Sequence, residues 1–395
     1  MSPEREAAGR VSDWIFGWDI GGAHLKVALA DDRGRLHCVE SRYTPLWQGL
    51  DHLDRALSQL LAQLAAHLAS QSLSGLPDAE HRVTMTGELV DLFEDRAQGV
   101  AALSARVAAR LPAGRVGIYA GPDGFVPPGR AAEHSEQIAS ANWHATASLV
   151  ARRLSNVDGT VPPREMKRLF HRNALLIDVG STTTDLIPIV DGRVCARGYA
   201  DRERLATQEL LYSGVVRTPV MALAERVPLA GEWTELAAEH FATTADVYRL
   251  TAELPPEADQ GDTADGRDKS EQASAVRLAR MVGDDAGRHE PAVWRGLAGY
   301  VRDCQLVRIE RALARQCSLG WLADAPLVGA GVGRFLVRRV AQRQERRYLD
   351  LSEVIAASDP GATGADRPCL AAAADCAPAT AVALLAAGSN HATID

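Results

Sequence analysis

Residues 175–194, LLIDVGSTTTDLIPIVDGRV, place a polar turn between two aliphatic runs. The first run ends at Asp178, the turn follows at Gly180 and Ser181, and the second run begins beside Asp185. Such runs, bounded by Gly and Asp, are typical of buried strands joined as a hairpin. A carboxylate that precedes a glycine turn can hold a hydrated divalent cation while backbone N–H groups converge on an anion. The stretch therefore predicts a phosphate-binding hairpin.

A related hairpin, WDIGGAHLKVALA, lies 159 residues (178 − 19) earlier in the chain. This offset aligns Asp19 with Asp178 and Gly21 with Gly180, which are identical, and it places Ser181 on Gly22 and Asp185 on Lys26. One Thr-rich hairpin alone could be a simple β-prone connector. Because the unit occurs twice in matching context, the sequence predicts two related domains that face each other and clamp a diphosphate between the two turns.

The order of predicted elements supports this duplication. Three strands, a helix, a strand, a helix, a strand and a helix fill residues 12–155, and the pattern restarts with a second domain at 172–390. Within the second domain, residues 255–275 are polar, acidic and glycine-rich, which predicts a mobile loop. Residues 329–333, GAGVG, predict a strand-to-helix glycine turn that can approach a phosphate.

The composition of the chain limits the kinds of molecule that it is expected to bind. A net charge of −8 and a pI near 5.8 give no broad basic field, so nucleic acid and anionic membranes are disfavoured and small-molecule substrates are expected. The six cysteines form no C-x-x-C pair, and no segment reads as an export signal or a membrane span, so we expect a cytoplasmic protein. The oligomeric state stays open between a monomer and a homodimer.

The candidate anion-binding groups are glycine N–H groups, hydroxyls and one lysine. Lysine occurs at only three positions in the sequence, which makes a lysine inside a motif informative. The predicted diphosphate-binding residues are Gly21, Gly22, Lys26, Gly180, Ser181, Thr182, Thr183, Gly329 and Gly331.

Further polar residues have both a functional and a structural interpretation. His24 in the first turn is a candidate proton acceptor or a surface histidine, and Asp123 ends a strand where α/β sheets place working residues or simply precedes a glycine. Candidate substrate contacts, each with a core, capping or surface alternative, are Asn142, Trp143, Arg217, Thr244 and Asp246.

The two hairpins and the late glycine turn resemble the phosphate-1, phosphate-2 and adenosine motifs of the actin, sugar kinase and Hsp70 superfamily. This resemblance implies an α/β fold of two related ribonuclease H-like domains, with mixed five-stranded sheets and a cleft between them. More narrowly, DIGGAHLKVA, ANWHA, IDVGSTTTDLIPI, SGVVRTPV and ATTADVYRLT are together similar to the hydantoinase/oxoprolinase-related family of tetrahydromethanopterin-linked C1-transfer proteins.

That family resemblance implies a transferase of methanofuran (methylofuran) biosynthesis. Such an enzyme joins the phenol of γ-glutamyl-tyramine to an aminomethylfuran-methyl diphosphate and releases diphosphate. Asp19 and Asp178 would position Mg²⁺, and Asp185, Asp123 or His24 would accept the phenolic proton. Two alternatives stay open: an ATP-dependent kinase or hydantoinase/oxoprolinase-type ATPase, in which the glycine turn would contact ATP, and a non-catalytic actin-like nucleotide switch.

Overall fold

The computed structural model describes residues 14–70, 78–112, 115–155, 172–322, 324–357 and 367–389. The chain divides into two compact units. Unit 1 holds the described residues up to Arg153 and from Ser352 onward, and unit 2 holds the described residues within Leu154–Leu351.

Strands and helices alternate in both units. The strands are β1 Trp14–Ile20, β2 His24–Asp31, β3 Leu36–Tyr43, β4 Glu80–Met85, β5 Val116–Tyr119, β6 Phe125–Val126, β7 Ala174–Val179, β8 Thr184–Val190, β9 Arg193–Val194, β10 Leu210–Leu211, β11 Arg226–Leu229, β12 Glu232–Glu235, β13 Leu327–Ala330 and β14 Tyr348–Asp350. The helices are α1 Asp51–Ser70, α2 Arg96–Arg110, α3 Ser135–Ile138, α4 Asn142–Ser155, α5 Asp201–Thr207, α6 Thr244–Leu250, α7 Glu271–Met281, α8 Pro291–Cys317, α9 Arg334–Arg343, α10 Leu351–Ala356, α11 Arg367–Asp375 and α12 Ala377–Ser389.

The two main sheets share one topology. The order is β3-β2-β1-β4-β5-β6 in unit 1 and β10-β8-β7-β13-β14 in unit 2, where β9 pairs with β8. In each unit the first two strands are antiparallel, and the first strand then pairs in parallel with the strand that follows the helical crossover. This repeated order confirms the predicted α/β class with two related units.

Each sheet has six strands rather than the predicted five. The additional pairing comes from short strands such as β6 and β9, each two residues long. Two residues are too few to produce a hydrophobic period, so the sequence did not indicate them.

The central strands are buried along their whole length. All seven residues of β1 and all six of β7 are buried, because helices or loops cover both sides of the sheet. The apolar core of unit 1 joins the strands to the leucines of α1, and the core of unit 2 joins β7 and β13 to α8 and α9.

The C-terminal helix lies in a different unit from the one that the sequence predicted. Residues 172–390 were expected to form one domain, but α12 packs on β1 and β2 of unit 1. Gly17 on β1 makes this packing possible: a Cβ there would clash with the carbonyl oxygen of Ala379 and would lie 2.7 Å from the backbone nitrogen of Ala383. A helix of small residues therefore sits directly on the strand.

Residues 255–275 are linked to α6 and α7 by ion pairs. Asp259 contacts Arg249 at 2.6 Å, and Asp265 contacts Arg277 at 3.0 Å. The acidic residues of the segment match these arginines, the segment ends in α7, and its mobility stays a prediction.

Among the described residues, no single helix is long and apolar enough to cross a membrane, and α11 together with part of α12 reaches that length and apolarity only as a pair bent by 108°.

Candidate functional site

The two predicted turns have the same backbone geometry. The N–H of Gly21 donates to the carbonyl of His24 at 2.9 Å, and the N–H of Gly180 donates to the carbonyl of Thr183 at 2.9 Å. Both hydrogen bonds keep the offset of 159 residues (180 − 21 and 183 − 24). The sequence repeat is therefore a structural repeat at the level of individual hydrogen bonds.

The strand register also repeats. Asp19 faces Lys26 across the antiparallel pair of β1 and β2, and Asp178 faces Asp185 across β7 and β8. Facing residues in such a pair project their side chains to the same face of the sheet. In unit 1 the turn carboxylate thus faces a residue of opposite charge, whereas in unit 2 it faces a residue of like charge.

Asp19 is buried, and its two carboxylate oxygens differ. Oδ2 contacts Nζ of Lys26 at 3.2 Å, while Oδ1 is buried and has no hydrogen-bond partner among the described residues. Thr84 is paired with Asp19 in register on β4, and its buried Oγ1 also has no partner among those residues. Buried oxygens without partners are rare in native proteins because their desolvation is not compensated. The two oxygens, Oδ1 of Asp19 and Oγ1 of Thr84, are therefore suited to contact a bound cation or a hydrogen-bond donor of a ligand.

The Asp19 turn is supported by two neighbouring segments. The N–H groups of Thr44 and Leu46 donate to the carbonyls of Ala23 and Gly22 at 2.8 and 3.0 Å. From β4, the N–H of Thr86 donates to the carbonyl of Ile20 at 3.0 Å. The turn is therefore fixed before any ligand binds.

The Asp178 turn is supported in a different way, by glycine residues whose backbones pack closely against it. A Cβ on Gly214 would overlap the backbone of Ser181 and Thr182, and a Cβ on Gly331 would clash with Oδ1 of Asp178. Gly331 has φ of +78°, which favours glycine, and the N–H of Val215 donates to the carbonyl of Gly180 at 3.1 Å.

The predicted glycine turn of residues 329–333 thus lies against the Asp178 turn. Gly333 donates its N–H to the carbonyl of Val179 at 2.8 Å. Gly329 has a separate structural role, because a Cβ there would lie 2.7 Å from the ring of Tyr348. The structure brings Gly331 to the candidate site and gives Gly329 a packing function.

The hydroxyls of the second turn divide into two groups. Ser181, Thr182 and Thr183 are half-buried, and Oγ of Ser181 lies 3.5 Å from Oγ1 of Thr182. Thr184 is buried and donates to the carbonyl of Ser213 at 2.6 Å. Three hydroxyls of the run therefore remain at the surface of the turn.

Asp185 is tied to a buried arginine. Its Oδ1 lies 2.9 Å from Nη2 of Arg204, whose side chain is 1% exposed. Burial raises the pKa of the Asp185 carboxyl, and the Arg204 guanidinium opposes that rise. A raised pKa favours a proton acceptor over an unperturbed aspartate, but the ion pair limits the freedom of the group.

The other two candidate bases lie in unit 1. Asp123 follows β5, is half-exposed, and contacts Nδ1 of His134 at 3.1 Å through Oδ2. His24 is half-buried in the first turn, with its ring edge-to-face on Tyr43 at 5.7 Å between centroids. Because β1, β4 and β5 are parallel, Asp19 near the end of β1 and Asp123 after β5 lie at the same edge of the sheet.

The predicted substrate contacts are more dispersed. Arg217 is exposed, and its N–H donates to the carbonyl of Ser181 at 2.9 Å, so it lies beside the second turn. Asn142 begins α4 and is half-buried, whereas Trp143 is 2% exposed and packs in unit 1.

Thr244 and Asp246 belong to the start of α6. Both side chains are buried, and the carboxylate of Asp246 accepts from Nε of Arg277 at 2.7 Å and from the N–H of Thr243 at 3.1 Å. Asp246 is therefore the centre of the ion-pair network that holds residues 255–275.

Three residues beside these positions were not singled out from the sequence. Thr84 lies inside β4 and His134 ends the 3-10 helix Pro128–His134, and neither residue belongs to a sequence motif. The buried carboxylate of Glu88 accepts from Oγ of Ser140 at 2.9 Å, and Ser140 has φ of +53°. A carboxylate two residues after Thr86 in MTGEL, just beyond a buried strand, was a signal that could have identified Glu88.

Comparison with known proteins places the chain in a family. The hydantoinase/oxoprolinase family model matches residues 80–345, more than half of the chain. The chain belongs to the hydantoinase/oxoprolinase family. This member is 30% identical, over 271 residues, to the (4-{4-[2-(γ-L-glutamylamino)ethyl]phenoxymethyl}furan-2-yl)methanamine synthase of Methanocaldococcus jannaschii, covering 68% of this chain and 71% of the relative.

Two further likenesses are more limited. A protein of the same name from Methanococcus vannielii is 37% identical over 114 residues, which are 29% of this chain and 51% of the relative. A nucleotide-free acetone carboxylase structure matches this hydantoinase/oxoprolinase family member with a TM-score of 0.52 and 10% identity, over 87% of this chain and 69% of that chain. At that identity the likeness concerns the fold alone.

Proposed function

We propose that this family member is a diphosphate-releasing ether synthase of methanofuran-type cofactor biosynthesis, which would serve tetrahydromethanopterin-linked one-carbon metabolism. The observation that carries the proposal is the 30% identity to the Methanocaldococcus jannaschii synthase over 71% of its length. The name of that relative describes a phenoxymethyl-furan product, an aryl ether between a phenol and a furan-methyl group.

The proposed reaction joins two small molecules. The phenol oxygen of γ-glutamyl-tyramine attacks the methylene carbon of an aminomethylfuran-methyl diphosphate, and a new C–O bond forms. The C–O bond to the diphosphate breaks, and the diphosphate leaves with the bonding electrons. The phenolic proton passes to a base on the protein, so no ATP is consumed.

The two turns supply groups that suit a diphosphate. Lys26 and the N–H groups of Gly22, Ser181 and Thr182 would bind anionic oxygens and stabilise the charge on the leaving group. The hydroxyls of the second turn add donors, and Arg217 is suited to a carboxylate of the glutamyl acceptor.

The carboxylates of the turns fit a magnesium ion that arrives with a diphosphate. Mg²⁺ is usually held by one or two carboxylates, waters and substrate phosphates rather than by a cage of protein ligands. Oδ1 of Asp19 offers a buried oxygen that has no hydrogen-bond partner among the described residues. Asp19 and Asp178 would hold the ion, and the bound ion would stabilise the departing diphosphate.

Three residues are suited to accept the phenolic proton. Asp185 has a raised pKa, Asp123 is half-exposed beside His134, and His24 lies in the first turn itself. A phenol has a pKa of about 10, so removal of its proton at neutral pH benefits from a positioned base.

The test is a product assay with two arms. Purified protein and Mg²⁺ are incubated with the furan-methyl diphosphate and γ-glutamyl-tyramine, or with ATP alone, while ether, diphosphate and phosphate are measured. We expect stoichiometric ether and diphosphate in the first arm without ATP. Phosphate release from ATP with no ether formed in the first arm would overturn the proposal in favour of an ATPase.

A further inference from the structure

Unit 1 exposes large apolar side chains in one place. Among its described residues, those that are well exposed are Trp47 at 40%, Leu89 at 40% and Leu92 at 44%. All three lie on two loops, residues 44–49 and 87–93. Single exposed apolar residues are normal on a protein surface, but a group confined to two loops is typical of a binding site.

Both loops contact the first glycine turn. Leu46, next to Trp47, donates its N–H to the carbonyl of Gly22 at 3.0 Å. On the other side, a Cβ on Gly22 would lie 3.1 Å from Cγ1 of Val90. The exposed apolar residues therefore flank the turn whose neighbour is the Asp19–Lys26 pair.

An aromatic row extends from the turn toward Trp47. The rings of His24 and Tyr43 are 5.7 Å apart at 69°, and those of Tyr43 and Trp47 are 6.3 Å apart at 71°. Edge-to-face contacts of this kind hold ring orientations. Tyr43 thus fixes the Trp47 indole beside the turn while Trp47 keeps part of its surface open to solvent.

We propose that Trp47, held by Tyr43 beside the first turn, is a subsite for the aromatic ring of a diphosphate ester bound at the Gly21–Gly22 turn. The inference rests on the proposed function, in which that ring is the furan of the donor. A single methylene joins the furan to its diphosphate, so a ring bound near the anion site must lie close to the turn. An electron-rich furan needs a flat apolar surface rather than a charge, and an indole face provides one.

The experiment compares ligands with and without a ring. Isothermal titration in the presence of Mg²⁺ measures the Kd of furan-2-ylmethyl diphosphate and of inorganic diphosphate for the wild type, Trp47→Ala and Trp47→Phe. Trp233→Ala is the matched control, because Trp233 is a 57% exposed tryptophan of unit 2 whose ring lies 5.7 Å from that of Tyr300.

We expect Trp47→Ala to weaken binding of the furan diphosphate about tenfold while inorganic diphosphate changes less than about twofold. Trp47→Phe keeps a flat face and should recover most of the affinity, and Trp233→Ala should match the wild type. Equal losses for both ligands, no loss at all, or a change of oligomeric state in Trp47→Ala would overturn the inference.

The inference and the proposed function can fail separately. If the wild type makes the ether but Trp47→Ala binds the furan diphosphate normally, the inference is wrong and the function stands. If the wild type makes no ether but discriminates the two ligands through Trp47, the reaction is wrong and the ring subsite stands.

Discussion

The Asp19 turn and the Asp178 turn share a backbone and differ in charge. Each closes with an N–H to carbonyl hydrogen bond of 2.9 Å, and each places a carboxylate at the end of a buried strand. Across the hairpin, however, Asp19 meets Lys26 whereas Asp178 meets Asp185, and Arg204 offsets one of those two charges. The duplicated backbone thus carries a neutral pair in unit 1 and an excess of one negative charge in unit 2.

This difference suggests a division of labour between the turns. Both Asp19 and Asp178 are proposed Mg²⁺ ligands, but the lysine beside Asp19 adds a contact for a phosphate oxygen, whereas the second carboxylate beside Asp178 adds affinity for a hydrated cation. The two turns also differ in mechanical support, because loops and hydrogen bonds brace the first and glycine close approaches brace the second. Four predictions test this comparison.

The largest effect is expected from the buried carboxylate of the first turn. Asp19→Asn should lower kcat/KM for ether formation by about 10²–10³-fold, the usual cost of losing a preorganised electrostatic group, and addition of Asp178→Asn should leave no detectable turnover. Stability should change little, because the lower cost of burying a neutral amide offsets the loss of the ion pair with the partly exposed Lys26. Asp31→Asn, at the other end of β2, is the control and should remain active. Full activity in the double variant would show that neither turn binds the metal ion or the diphosphate as proposed.

Acid should destabilise unit 1 before unit 2. His81 on β4 accepts from Nε1 of Trp18 at 3.1 Å, and burial, with a smaller effect of Arg82, lowers its pKa to about 4. Because the unfolded chain binds the proton more tightly, this contribution to stability is complete above pH 6.5 and is lost as the pH falls toward 4, by about 3 kcal/mol in total.

The check is urea unfolding at several pH values. Wild type should lose stability between pH 6.5 and 4, and His81→Asn should lose much less over the same range. The two described histidines of unit 2, His240 and His289, are not buried, so His289→Asn serves as the control. An equal pH dependence in both variants would contradict the assignment.

Because the two turns are supported in different ways, we expect them to tolerate a glycine-to-alanine substitution to different degrees. Gly214→Ala would overlap the backbone of Ser181 and Thr182, so we expect a loss of about 2 kcal/mol or a displaced second turn. Gly22→Ala in the first turn meets a side-chain atom of Val90 at 3.1 Å, which can move, and should cost less. Calorimetric Tm values compare the two variants, and equal losses would show that both turns are braced alike.

The smallest effects should separate anion binding from cation binding. Lys26→Met should raise the Kd of inorganic diphosphate about tenfold with little change in the Mg²⁺ requirement, since it removes one partly exposed charge. Asp178→Asn should instead raise the Mg²⁺ concentration needed for half-maximal activity. Titration of each ligand at a fixed level of the other measures both, and the reverse pattern would exchange the roles of the turns.

Much of the fold could be predicted from the sequence, because its signals are local. Continuous apolar runs predicted β1 and β7, and the aspartate and glycine beside each run predicted the turns. The short strands β6 and β9 and the unit to which α12 belongs were not predictable in this way. The position of α12 depends on its contact with Gly17, which is far from it in sequence.

The candidate site also has features that were predictable from the sequence and features that required the tertiary structure. The sequence by itself determined the duplicated turn, its offset and the identities of Asp19, Lys26, Asp178 and Asp185, since these follow from residue order alone. Tertiary structure decided that Asp246 serves an ion-pair network, that Gly329 packs on Tyr348, and that Trp47 flanks the first turn. The physical reason is that charge pairing, burial and close backbone approach depend on which distant segments come into contact. Local hydrophobic periodicity and residue spacing do not specify those contacts.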